Sequence, residues 1–155
     1  MLIPIETPLL VKEYLESRFG SPISLPKTAS IDLGVKIAIC AGISLNYKYA
    51  NSTERKVKAS LIVTDSLFNK KIPTQPNSAQ REAIAQQLHK YVLEQVSLEV
   101  AIISCTRKKS ISQSINALIH KHRLTADVEN IRQIFERGKR AMNFDREISP
   151  LNKIS

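Results

Sequence analysis

A chain of 155 residues is long enough for one domain, or a domain with a tail, and its 43% hydrophobic content is too high for a disordered polymer. Its 23 Lys+Arg against 14 Asp+Glu give a net charge of +9, so any partner chosen by electrostatics is anionic. No run approaches the roughly 20 apolar residues of a membrane span: the most apolar window, residues 31–45, is broken by Asp32, Lys36 and Ser44.

Residues 1–6 carry no basic n-region and no small-residue cleavage site, so no secretory signal is expected. Asn51–Ser52–Thr53 fits a glycosylation acceptor but has no meaning without secretion. Two cysteines, Cys40 and Cys105, cannot make a disulfide framework; both lie in apolar runs, which predicts buried, reduced thiols in a cytoplasmic protein.

The first predicted element is a helix over 8–19. Thr7 is placed to cap it, Pro8 to take its first position, and Gly20 to stop it; Leu10, Tyr14, Leu15 and Phe19 form one stripe. Prolines 22 and 26 make 21–26 a loop.

Residues 31–49 alternate strictly: every odd position is apolar or aromatic, ending in Tyr47 and Tyr49, and the even positions, Lys36 and Lys48 among them, are mostly polar or small. Period two is a β-ribbon. At about 3.3 Å per residue such a strand would reach ~60 Å, so a bend near Gly42 is expected. Residues 51–54 form a polar turn. Strand 56–64 follows, with Val57, Ala59, Leu61 and Val63 inward and Lys56 and Lys58 outward. Residues 68–75 read as a loop.

Asn77 and Gln80 resemble a capping box for a helix from about Ser78, with Ile84, Leu88, Tyr91 and Gln95 at helical spacing. Residues 98–105 are short and β-branched, so a buried strand is preferred; continuation of the helix competes, because no Gly or Pro intervenes. Ser110 and Gln113 predict a capping box for helix 111–122, with Ile111, Ile115, Leu118 and Ile119 as its stripe. Thr125 is the predicted cap of helix 126–137, and 145–155 the predicted tail. The expected fold is α+β: an antiparallel hairpin or small sheet packed on helices (1–105), then a basic helical pair (106–144).

Chemistry is sparse. Four glycines leave no Gly-rich phosphate loop. No Cys-x-x-Cys exists, His120 and His122 point apart on a helix, and His89 has no ligand partner one turn away. All three are expected as surface or boundary histidines. No metal or cofactor is expected.

The order of ribbon, helix, strand and helix over 30–105 resembles ribonuclease H-like nucleases and Holliday-junction resolvases. There an Asp on the first strand and an acid ending a later strand hold divalent metals for phosphodiester hydrolysis. The resemblance implies that role for Asp32, within Ser30–Ile31–Asp32–Leu33–Gly34. The later strand departs from it: Ile103, Ser104 and Cys105 include no acid.

The surplus charge is the remaining functional signal. Lys36, Lys48, Lys56 and Lys58 share one face if the two strands pair. Arg107, Lys108 and Lys109 form a basic loop, followed by Lys121, Arg123, Arg132, Arg137, Lys139 and Arg140 on the helical pair. Such a surface suits phosphates. The preferred expectation is a non-catalytic, cytosolic nucleic-acid-binding or accessory protein with no membrane association; the alternatives are a self-associating subunit of a phage, plasmid or secretion apparatus, and the metal-dependent nuclease at Asp32.

Overall fold

The computed structural model describes residues 2–26, 55–62, 66–67, 70–71 and 76–148. The predicted ribbon 31–49, with Asp32, Lys36, Cys40, Lys48 and both ribbon tyrosines, and the turn 51–54 lie outside them. By its contacts the chain divides into two units, residues 1–92 and 93–155.

In the first unit, Leu2–Pro8 forms strand β1, an element that the local sequence pattern does not predict. Its period was short and interrupted by Pro4, but Ile3, Ile5 and Thr7 are buried while Leu2, Pro4 and Glu6 are exposed. The prolines are tolerated because β1 is the edge of a three-stranded sheet of order β1–β3–β2. Strand β3, Lys56–Ile62, is central. It pairs antiparallel with β1, from Leu2 opposite Ile62 to Pro8 opposite Lys56. On its other side it pairs in parallel with β2, Ile23–Ser24, a strand inside the segment expected to be loop. Of the predicted inner set of β3, Ala59 and Leu61 are buried, Val57 is half-buried and Val63 lies outside the described residues; Lys56 and Lys58 are exposed as predicted. Its described neighbours are thus β1 and β2. A second sheet pairs β4, Ser66–Leu67, with β5, Lys70–Lys71, which replaces the start of the predicted loop 68–75.

Helix α1, Leu9–Phe19, buries Leu10, Val11, Tyr14 and Leu15 and contacts all three strands of the larger sheet. Ile3, Ile5, Ile23 and Leu61 from the sheet meet that face as a core. Fully burying each such side chain stabilises by about 1.5–3 kcal/mol. Gly20 ends the helix as expected, with φ of 84° and its N–H donating to the Glu16 carbonyl at 3.0 Å.

The start differs from expectation. Pro8 occupies the cap position and no side chain caps the helix. Thr7 is held in the strand, on its inner face, and its hydroxyl is buried without a hydrogen-bond partner among the described residues. An unpaired buried hydroxyl costs about 1–3 kcal/mol. Thr7→Val keeps the shape and removes that group, so we expect a gain of about 1 kcal/mol in a urea melt. A capping Thr7 would give a loss of similar size.

Helix α2, Ser78–Arg107, runs for 30 residues. Its capping box forms as expected: the Gln80 N–H donates to Asn77 Oδ1 at 2.9 Å and the Asn77 N–H to Gln80 Oε1 at 2.8 Å. The predicted strand at 98–105 is part of this helix. Ile84, Leu88, Val92, Val96 and Val100 are all fully buried, one step of four after another, so the helical phase set early carries through. A strand would put Val100 and Ile102 on one face; Val100 is fully buried and Ile102 is 49% exposed. The hydroxyls of Ser97 and Thr106 donate back to the Leu93 and Ile102 carbonyls, at 3.0 and 2.7 Å, a helical habit. Without that strand the chain order behind the nuclease resemblance is gone.

In the second unit α2 ends at Arg107 and the chain turns at Lys108, whose φ is 50°. Helix α3, Ile111–His122, begins with the predicted capping box at Ser110 and Gln113 and ends at left-handed Arg123. Helix α4, Val128–Ile148, packs on α3. Asp127 caps it, accepting from the Asn130 N–H at 2.8 Å, so it starts two residues later than the Thr125 reading. It passes through Gly138 and 145 and reaches Ile148, beyond both predicted ends. The chain is an α+β protein. Among the described residues no helix is long and apolar enough to cross a membrane.

Candidate functional site

The antiparallel register places alternate residues of β1 and β3 on the outer sheet face: Glu6 lies opposite Lys58 and Pro8 opposite Lys56. On the first turns of α2, Ser78, Glu82, Ala85, Gln86 and His89 recur at helical spacing, with Arg81 beside them. Together these residues line an open cleft of 590 Å³, which also takes in Pro4 and Ile5.

Its charged groups are Lys56, Lys58 and Arg81 against Glu6 and Glu82. Among the described residues neither lysine is held in an ion pair. The Arg81 guanidinium donates to the Pro76 carbonyl at 3.2 Å, which orients its fork. Burial, and then the Lys56 charge, hold the His89 imidazole below its ordinary value of 6.5, so at neutral pH it adds no charge. Gln86 Oε1 is buried without a hydrogen-bond partner among the described residues. The wall therefore offers two ammonium point charges and one planar guanidinium, the donors that bind phosphate.

The other cations are placed differently. Arg107 and Lys108 are exposed at the turn after α2, and Lys109 is half-buried there. Lys121 donates to Glu99 Oε1 at 3.1 Å. Arg132 donates to the Ser112 hydroxyl and lies 3.9 Å from Glu129. Arg123, Arg137, Lys139 and Arg140 are exposed. Of the predicted set, the structure thus brings Lys56 and Lys58 onto one cleft wall, while Lys121 and Arg132 are engaged within their own unit.

Two expectations about single residues are corrected. Cys105 is exposed, because the helix turns it away from Val96 and Val100. His122 is not at the surface: only 6% of it is exposed, and its Nε2 lies 2.8 Å from Glu99 Oε2. A carboxylate only accepts, so Nε2 carries the proton. Burial alone would raise the Glu99 pKa, but the Lys121 and His122 hydrogen bonds and charges reverse this and hold it below the ordinary carboxylate value. Among the described residues, no group of three or more His, Cys, Asp or Glu is placed to hold a metal ion.

Sequence reasoning missed Arg81, Gln86 and His89. The helical spacing that groups the α2 residues was visible, but which face of the sheet they share was not. Comparison of the chain with protein-family models, curated proteins and solved structures found no match.

Proposed function

We propose that this is a non-catalytic nucleic-acid-binding or accessory protein that seats phosphates on the cleft wall made by Lys56, Lys58 and Arg81. The observation that carries this reading is their placement: two exposed lysines on one strand face, with an arginine from another element lining the same 590 Å³ cleft. Successive backbone phosphates along the wall would each be met by one of these cations, and an anion there also offsets the Lys56 charge, which lowers the His89 pKa second to burial. The exposed Arg107, Lys108, Arg137, Lys139 and Arg140 add to the overall attraction for a polyanion. We take the compartment to be the cytoplasm, a reading supported by the free thiol of Cys105.

The first check is the ultraviolet spectrum of protein purified without nuclease treatment. With four Tyr and no Trp its own absorbance is weak, so retained nucleic acid dominates at 260 nm. A protein-only spectrum, together with no binding of single-stranded or duplex oligonucleotides at low salt, overturns the proposal.

A further inference from the structure

Helix α2 is apolar on two opposite sides where it passes through the second unit. Val96 and Val100 face inward and are fully buried. Leu98 and Ile102 face the other way and are 51% and 49% exposed, with exposed Cys105 on the same side. A helix that is apolar on both faces needs cover on both. Among the described residues the neighbouring side chains do not supply it: Ser97 is turned to the Ile134 carbonyl of α4, and Glu99 to Lys121 and His122 of α3.

The outer face has its own pattern. Within α2, Gln95, Leu98, Ile102 and Cys105 follow in steps of three, four and three, the spacing of a two-helix seam. Its ends carry opposite charge. Glu94 is exposed at the N-terminal end and Lys108 at the C-terminal end, and among the described residues neither is in an ion pair. A parallel copy would set like charge on like. A copy running in the opposite direction sets acid on base at both ends, and the two-fold axis makes the two contacts identical.

We propose that this face of α2 is the seat of a second copy of the chain, paired antiparallel about a two-fold axis between Leu98 and Ile102. In that register Leu98 meets the partner's Ile102, Gln95 meets the partner's Cys105, and Glu94 reaches toward the partner's Lys108. None of these residues lines the cleft, so the dimer face is separate from the wall of Lys56, Lys58 and Arg81.

The test is sedimentation equilibrium on the full chain, which should report a dimer. Leu98→Glu with Ile102→Glu should give a monomer whose helical circular dichroism is unchanged, because both positions are at the surface. Glu94→Lys should weaken the dimer about tenfold, and adding Lys108→Glu should restore it. In a Cys40→Ser background, Gln95→Cys should cross-link the dimer under mild oxidation, and Gln95→Cys with Cys105→Ser should not. A monomer at every concentration, a dimer that survives the double glutamate variant, or a cross-link that survives loss of Cys105 overturns the proposal.

Discussion

Glu99→Ala lowers the stability of the protein by about 2–3 kcal/mol in a urea melt. The carboxylate joins α2 to the end of α3 by accepting from Lys121 Nζ at 3.1 Å and His122 Nε2 at 2.8 Å. Lys121 is exposed and recovers water when its partner goes, so Lys121→Ala costs no more than about 0.5 kcal/mol. His122 is buried and cannot recover it, so the loss falls on that ring. Glu99→Gln keeps one acceptor oxygen and falls between the two. The pH dependence has a fixed sign. The folded pKa of Glu99 is lowered, so its contribution is complete above the ordinary 4.5 and is lost as pH falls through the lowered value. In Glu99→Ala that part of the acid limb is absent. A variant as stable as the parent, with the same acid limb, refutes the clasp.

Gly138→Ala is the second large effect. In an exposed helix this change gains up to about 1 kcal/mol. Here the new Cβ would stand 2.8 Å from Ser97 Oγ and 3.1 Å from Ser97 Cβ. The hydroxyl can rotate away, but the Ser97 Cβ is fixed to the α2 backbone, so the helices must part. Overpacking of this kind costs about 1–3 kcal/mol, and a net loss of about 1–2 kcal/mol follows. Ser97→Gly removes both contacts, so Gly138→Ala made in that background becomes neutral or stabilising. The same loss in both backgrounds would show that the close approach at Ser97 is not the cause.

Much of the fold was legible where one local signal dominated. The capping boxes at Asn77 and Ser110 each satisfy two backbone N–H groups from within four residues, so they needed no tertiary information. The alternation in 56–62 likewise put Lys56 and Lys58 outside. The reading failed where context decided. Thr7 sits before a proline and a helix, which suits a cap, yet the pairing of β1 with β3 holds it in a strand. Residues 98–105 have strand composition, but the apolar phase from Ile84 onward was already helical and continued through Val100. Gly138 lies inside α4, where a Cβ would meet Ser97, and nothing local in the sequence separates such a glycine from one that ends a helix. Half of the cleft wall was legible in the alternating lysines; the rest required knowing that the first turns of α2 face the same space.

The central claim, that Lys56, Lys58 and Arg81 hold phosphate, is tested most directly by the salt dependence of oligonucleotide binding. Each phosphate neutralised on duplex DNA contributes about 0.9 to the slope of log affinity against log salt. The variant Lys56→Ala/Lys58→Ala/Arg81→Ala should bind more weakly at low salt, with a slope shallower by roughly 2–3, while folding normally. An unchanged slope and affinity would contradict the account, because the cleft would then take no part in binding.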